Sequence, residues 1–450
     1  MKTQFILSTV LALSLSACTA VGPDFTPPSM NMPAAFTVGG GSLLQSPELQ
    51  MWWRELKDPL LNDLVAQGLA NNLTIQTSLA RIRKSEAQLR ATGINAQTTG
   101  NLTSSVNRTG VDNLPTTTND TSSLGGTFVI DLFGGIKRGQ EQAAANLEAS
   151  GFNLGDARAA VTQSIVMHYV SARFAQEAAA LTRKTVASRE QTLSLVRAKR
   201  RAGTASEFEI VQTEADLFTA KADLQGYLSN FESSVFAMTT VLDADPAPTL
   251  LKMQRGAPQA SPRGTSLLGK PADLLRNIPS VRVAESTYAA AVAGLGVQEA
   301  KLLPSLTISG KLTVNDPKSW SFGPAISLPV FNQPALKANR DAQIAVVEEA
   351  MLNWRAAVRA AVGDVETQSH SLLRSNRQVS LLRLAIGSSE KALALNKANF
   401  EAGRSSLIEL LDAERTTSAR RLALASEVQS ATIEWANLQV ALGRGWKIKQ

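Results

Sequence analysis

Residues 197–224, RAKRRAGTASEFEIVQTEADLFTAKADL, and residues 397–424, KANFEAGRSSLIELLDAERTTSARRLAL, are two copies of one plan, two hundred residues apart. They are identical at Ala198/Ala398, Ala202/Ala402, Gly203/Gly403, Ser206/Ser406, Glu209/Glu409, Glu214/Glu414 and Leu224/Leu424. Each copy reads as a helical hairpin. Gly203 and Gly403 suit the left-handed position that ends a helix. Ser206 and Ser406 then read as N-caps of the next helix, with Glu209 and Glu409 three residues on completing a capping box. So long a period marks an old duplication, not a solenoid of short units. The chain is built twice, and its functional parts are to be sought in pairs.

Working outward, the segment from Ile136 to Leu242 contains no proline and predicts two long helices broken only at 202–205. The first would run roughly 100 Å at 1.5 Å per residue. The second half repeats the order: a helix over 271–301, a β-rich stretch over 304–331, a helix over 335–401, a turn, and a helix over 406–442. No proline follows Pro334. Ala-rich helices of this length need neighbours to bury their apolar stripes, as in a coiled coil. Leu60, Leu61, Leu64, Leu69, Leu73, Ile75, Leu79, Ile82 and Leu89 predict a further helical stretch over 59–92. Residues 243–270 read as a Pro/Gly/Ser linker between the halves.

The β stretches decide the environment. Leu306, Ile308, Leu312 and Val314 alternate with Thr307, Ser309, Lys311 and Thr313. Trp320, Phe322, Ile326, Leu328 and Val330 alternate with small or polar residues, and Pro324 predicts a local irregularity. Such alternation over about ten residues fits transmembrane β-barrel strands; an edge hairpin of a soluble sheet is the other reading. The matching segments of the first half, about 98–108 and 122–133, are weaker. There Leu124, Phe128, Ile130 and Leu132 share a face, but Leu102–Arg108 is mostly polar. Four strands cannot close a barrel, since the smallest bacterial barrels need about eight. An open edge in lipid leaves backbone groups unpaired. Strands must therefore be pooled, and three chains would supply twelve.

The N-terminus reads as a processing signal, with Lys2, an apolar run from Phe5 to Leu15 that is too short to span a membrane, and the cleavage site Leu15-Ser16-Ala17-Cys18. Cys18 is the chain's single cysteine, so no intramolecular disulfide exists. LSAC resembles the bacterial lipobox, which implies a lipidated N-terminus at Cys18 carrying N-palmitoyl and S-diacylglycerol groups. By the same resemblance, Thr19 favours the outer membrane. Residues 18–57, with five prolines and Gly39-Gly40-Gly41, then form an extended strap. Loss of Lys2 with the leader lowers the formal balance from +7 to +6. A basic balance suits nucleic acid in other settings, but a secreted lipoprotein does not meet it, and charges interspersed along helices account for the excess.

No catalytic constellation is legible, and an enzyme is not expected. His168 and His370, the two histidines, lie inside long helices and read as helix-surface or core residues. Met30 and Met32 sit in the strap without partners for a metal. No cluster has metal-ligand spacing, and no phosphate loop or nucleophile elbow appears.

In their order and spacing, several motifs carry a resemblance over essentially the whole mature chain. They are Cys18 with Val21-Gly22-Pro23-Asp24-Phe25, Lys57-Asp58-Pro59-Leu60-Leu61-Asn62-Asp63-Leu64, Asp131-Leu132-Phe133-Gly134-Gly135 and Leu302-Leu303-Pro304-Ser305-Leu306. The last two are Gly403-x-x-Ser406-x-x-Glu409-Leu410-Leu411-Asp412-Ala413-Glu414-Arg415 and Leu442-Gly443-Arg444-Gly445-Trp446. The chain resembles the TolC-like outer membrane factors, specifically the OprM/NodT-type efflux lipoproteins.

That resemblance implies an α plus membrane β-barrel fold, with four barrel strands and long coiled-coil helices per chain. A homotrimer would form a twelve-stranded barrel in outer membrane lipid above an α-helical periplasmic tunnel. The implied domains are a signal peptide 1–17, a lipid-anchored strap 18–57, a first repeat 58–242, an equatorial linker 243–270, a second repeat 271–442 and a tail 443–450. The implied function is a passive exit duct for small molecules such as drugs and toxic compounds. Its expected partners are a periplasmic adaptor (a membrane fusion protein) and an inner-membrane pump of the RND type. A type I protein-secretion duct and a non-conducting periplasmic lipoprotein stay open as alternatives. No cofactor is expected beyond the lipid.

The implied sites are mechanical. The turns at Gly203, Ser206, Gly403 and Ser406 would form the periplasmic tip, where an adaptor docks, six hairpins per trimer in pseudo-sixfold order. By resemblance Ile408, Leu411 and Asp412 gate the channel, with Ile408 and Asp412 facing the lumen and Asp412 forming a three-carboxylate ring. An N-terminal helix carboxylate favoured by the macrodipole is the plainer reading of Asp412. Arg415 would pair with Asp412 as a latch. The Arg197/Lys199/Arg200/Arg201 run reads as a solvated face more readily than as an adaptor contact. Two departures from the family stand out. Asn277-Ile278-Pro279-Ser280-Val281 replaces the usual Arg-Pro-Asp-Ile, and Phe400-Glu401 replaces a frequent Tyr-Arg, which removes a positive charge near the tip.

Overall fold

A computed structural model describes residues 20–38, 50–262, 276–314 and 318–447. Cys18, the leader and Gly39-Gly40-Gly41 lie outside the described residues. A short 3-10 turn, Trp52–Leu56, precedes helices α1 (Pro59–Asn71), α2 (Leu73–Arg90) and the single turn α3 (Ile94–Gln97). Strands β1 (Thr98–Thr109) and β2 (Thr117–Ile130) follow, then the long helices α4 (Gly135–Arg201) and α5 (Glu207–Leu242) and the short α6 (Pro246–Gln254). The second half supplies α7 (Pro279–Ala300), β3 (Ser305–Val314), β4 (Ser319–Ser327), α8 (Gln333–Glu401) and α9 (Leu407–Ala441). Helix α4 has 67 residues and α8 has 69, each continuous. The order helix, two strands, long helical hairpin thus occurs twice, as the duplication requires.

Two boundaries differ from the sequence reading, each for a local reason. The helical stretch over 59–92 is two helices, because Asn72 turns its side chain back on the chain. Its Oδ1 accepts from the N–H groups of Thr74 (2.9 Å) and Ile75 (3.2 Å), which caps a new helix. Within the 243–270 linker a helix forms, because Pro246 stands at its first position after the cap Asp245, which accepts from Ala247 N (3.1 Å). There proline starts a helix and does not break one. Of the helix expected over 271–301, residues 271–275 lie outside the described residues, and the described helix begins at Pro279.

The chain divides into two compact units. The first comprises Met1–Asn31, Ser78–Leu154 and Pro279–Arg359. Its centre is a four-stranded antiparallel sheet in the order β1-β2-β3-β4. The register explains why β1 and β2 were harder to read. Leu102 pairs with Leu124, Leu124 with Leu312, and Leu312 with Trp320, so one apolar row crosses all four strands. The next row on this face is Gly100, Gly126, Gly310 and Phe322, whose ring lies 3.4 Å from where a Cβ on Gly310 would stand. A third holds Phe128, Ile308 and Pro324. The opposite face carries Asn101, Gly125, Lys311 and Ser321, then Thr99, Thr127, Ser309 and Gly323.

One face is therefore apolar and the other hydroxyl-rich. The apolar face is uncovered within the chain: Trp320 is 80% exposed, Leu102 76% and Ile326 75%. In water this would be a severe liability; in lipid it is the stable arrangement. No irregularity occurs at Pro324, because β4 pairs with β3 in unbroken register from Ser319 to Ser327. β4 and β1 are the outer strands of the sheet within the chain.

The second unit comprises Met32–Thr77, Gly155–Ile278 and Ala360–Gln450. Trp52 and Trp435 meet edge to face at 5.5 Å between centroids, both fully buried. Asp58 caps α1, accepting from Leu60 N (3.0 Å), and also receives the Tyr169 hydroxyl. Arg173, 2% exposed, donates to that hydroxyl and to the carbonyls of Met253 and Arg255. These bonds fasten the irregular segment after α6. The terminal Gly443-Arg444-Gly445-Trp446 motif is a closing contact. A Cβ on Gly443 would stand 2.5 Å from the Asn277 carbonyl oxygen, and the Trp446 indole N–H donates to that oxygen at 2.8 Å.

Candidate channel tip

Both hairpin turns have the geometry that their sequences dictate. At the first, Gly203 has φ +75° and its N–H donates to Arg200 O (3.0 Å), while Thr204 N–H reaches back to Lys199 O (2.9 Å). At the second, Gly403 has φ +73°, with Gly403 N–H to Phe400 O (3.1 Å) and Arg404 N–H to Asn399 O (2.7 Å). This is the Schellman ending in both copies. Each capping box is complete: Glu209 accepts from Ser206 N (2.6 Å), and Glu409 from Ser406 N (2.7 Å). Each serine hydroxyl accepts in return from the glutamate N–H at 3.3 Å.

The backbone and hydroxyl of Ser406 hold the Glu409 carboxyl below its ordinary 4.5. A depressed folded-state value contributes stability that is fully present above about pH 4.5 and is lost as pH falls through that lowered value. Glu409→Gln should therefore lower the thermal midpoint by more at pH 7 than at about pH 3. An equal gap in melts at both pH values would show that the charge is not involved.

The hairpins are joined by a small core of Val196, Phe400, Leu407, Leu410 and Leu411, with Leu195, Ile210 and Leu393 packed on it. Polar ties surround it. Lys199 donates to the Phe400 carbonyl (2.8 Å) and sits 3.9 Å over the Phe400 ring. Glu414, 6% exposed, accepts from Ser188 (2.9 Å) and Thr192 (3.0 Å). Thr185 and Ser418 share a hydroxyl bond at 2.5 Å.

The expected gate residues divide between the two sides of α9. Ile408 is 65% exposed and Asp412 is exposed one turn later. Leu411 is 4% exposed and belongs to the core of the hairpin, because its side of the helix packs on Val196 and Phe400. Arg415 bonds Asp216 on α5 at 3.4 Å, not Asp412, because the facing helix presents a carboxylate within reach. In the basic run, Arg197 pairs with Glu214 (2.5 Å) and Arg200 with Glu207 (3.6 Å), so these charges are used within the first hairpin.

Sequence reasoning missed Lys199, Glu414 and Asp216. Their partners lie on other helices, and the repeat places Glu214 and Glu414 in different roles. Among the described residues no three His, Cys, Asp or Glu side chains gather as a metal site. His168 is half-buried, and burial lowers its pKa. His370 bonds Thr37 on the strap at 2.7 Å. Among the described residues no helix is long and apolar enough to cross a membrane.

The family model described as outer membrane efflux protein matches residues 64–242 and 271–444. The chain belongs to the outer membrane efflux protein family. It is 32% identical to nodulation protein T of Rhizobium leguminosarum bv. trifolii over 452 residues, covering 97% of this chain and 96% of that one. It is 24% identical to the pyoverdine export outer membrane protein OpmQ of Pseudomonas aeruginosa, covering 96% of each. The fold matches the outer-membrane channel OprN with a TM-score of 0.86 at 23% identity, covering 95% of this chain and 99% of that one. As an outer membrane efflux protein, the chain places its four strands in the outer membrane and extends into the periplasm. The two matched blocks coincide with the two copies of the duplicated plan.

Proposed function

We propose that this chain is the exit duct of a tripartite efflux system: a homotrimer, passive, serving a periplasmic adaptor and an inner-membrane pump of the RND type. The observation that carries the reading is the four-stranded sheet with one exposed apolar face and two open edges, β1 and β4. Pairing β4 of one chain with β1 of the next satisfies both edges, and three chains give twelve strands. The repeats 58–242 and 271–442 each supply two strands and one tip hairpin. Covalent lipid on Cys18, as N-palmitoyl and S-diacylglycerol groups, anchors the strap, and no other group is needed.

The duct has no energy source. Contact with the adaptor and pump opens the tip only through their differential affinity for the open form. Cargo is set by the pump; the class is small molecules, including drugs and other toxic compounds. The test is reconstitution of the purified protein in planar bilayers, together with gene deletion and a toxicant panel. Heat-modifiable trimers, ion conductance and hypersensitivity to several small toxicants are expected. Trimers that conduct nothing would overturn the duct. Normal tolerance with loss of a secreted protein would overturn the small-molecule cargo.

A further inference from the structure

The segment just after Cys18 is held far more firmly than a tether requires. Arg138, on the first turn of α4, is 4% exposed. Its guanidinium donates to the carbonyls of Val21 (3.0 Å) and Gly22 (3.0 Å), with Ala20 O at 3.5 Å. It also bonds Asp24 (2.8 Å) and, on its own helix, Glu141 (2.8 Å). Val21 N–H in turn donates to Phe133 O at 2.9 Å. A planar fork with five donors suits this set; a lysine would reach fewer of them.

The neighbouring glycines show that backbone must lie here. A Cβ on Gly134 (φ +73°) would collide with Ala20. One on Gly22 (φ +85°) would lie 2.6 Å from Gly296 Cα, and one on Gly296 would lie 2.9 Å from Val21 O. Beyond the glycines, Phe25 packs edge to face on Tyr288 of α7 at 5.5 Å.

The location gives this seat its meaning. Phe133, Gly134 and Arg138 follow the last residues of β2, whereas Gly296 lies on α7, which leads into β3. β2 and β3 come from different repeats and pair directly, Ile130 against Leu306. The strap thus crosses the root of the one seam within the chain that joins the two repeats' strands. Cys18 stands two residues before Ala20 in the sequence.

We propose that Arg138 is a positioning residue that clamps residues 20–24 across the root of the β2–β3 seam, so that the lipid anchor holds the barrel strands in register for membrane assembly. This rests on the lipoprotein reading above. The test uses the full chain with Pro23→Cys as the spin-label site, since lipidation blocks the thiol of Cys18. In the parent the label is immobilised. Arg138→Ala frees it and lowers heat-resistant trimer in the outer membrane about fivefold or more, while incorporation of labelled palmitate is unchanged. Arg138→Lys gives intermediate motion.

A label that stays immobilised in Arg138→Ala, or a freed label with full trimer yield, overturns the proposal. If Arg138→Ala does not accumulate, Asp24→Ala decides. Asp24 is 88% exposed and lies on the strap itself, so its loss spares the folded body. A freed label and reduced trimer then support the clamp, and a label as in the parent overturns it. Absence of palmitate from the parent chain would instead refute the lipoprotein reading.

Discussion

Asp412→Ala raises the closed-state conductance of the reconstituted trimer severalfold and abolishes its preference for cations. The effect follows from which side of α9 is spoken for. Leu407, Leu410 and Leu411 are buried against Val196 and Phe400, so the opposite side of the first turns is fixed outward. That side carries Ile408 and Asp412, at i and i+4, where two helical side chains stack as neighbours. In the proposed trimer, three-fold symmetry would make them an apolar ring beside a carboxylate ring, the two devices by which narrow pores exclude water and select ions. Three ionised carboxylates at close range repel one another, and a bound cation relieves that cost. Alanine removes both the bulk and the charge.

The first hairpin is a built-in control. Phe208 and Gln212 occupy the positions matching Ile408 and Asp412, so Gln212→Ala leaves selectivity unchanged. Single-channel recording with asymmetric salt measures both quantities. An unaltered closed current and reversal potential in Asp412→Ala would remove Asp412 from the gate.

Trp435→Ala destabilises the protein by about 3–5 kcal/mol, the range for emptying a large aromatic site. Trp435 is 1% exposed on α9 and Trp52 is 0% exposed on the turn before α1; Trp53 lies 6.0 Å from Trp52. Leu438, one turn along the same helix, and Leu442, which caps its end, are both buried. The pair therefore binds the N-terminal segment to the last helix. Denaturation followed by the fluorescence of the remaining tryptophans reads the loss. Trp435→Phe keeps an aromatic ring in the site and should cost much less. A shift below about 1 kcal/mol for the alanine variant would show that the pair is peripheral.

The tips were legible because their chemistry is local. A glycine with positive φ, a serine cap and a glutamate three residues on span seven positions, and the duplicate confirms the pattern. β3 and β4 were legible because each strand alternates by itself. β1 was not, since Leu102 and Val106 are too sparse to announce a face until Leu124, Leu312 and Trp320 are aligned with Leu102. The break at Asn72 and the start at Pro246 turn on caps whose effect depends on one side chain's rotamer. The ties from Lys199 to Phe400 and from Glu414 to Ser188 and Thr192 join residues about two hundred positions apart. Arg415 was matched to Asp412, three residues back on its own helix, yet the helix opposite presents Asp216.

The open edges of β1 and β4 have a genetic consequence. A ring closed by edge pairing has no place for a spare or a faulty member, because every chain completes both of its neighbours. A copy with a damaged β1 or β4 that is still made and exported will therefore be counted into rings that it cannot close. With equal amounts of sound and damaged chain, only roughly one ring in eight is wholly sound. Lesions in the outer strands should be dominant, whereas a copy that is never made, or never leaves the cytoplasm, should be silent beside an intact one.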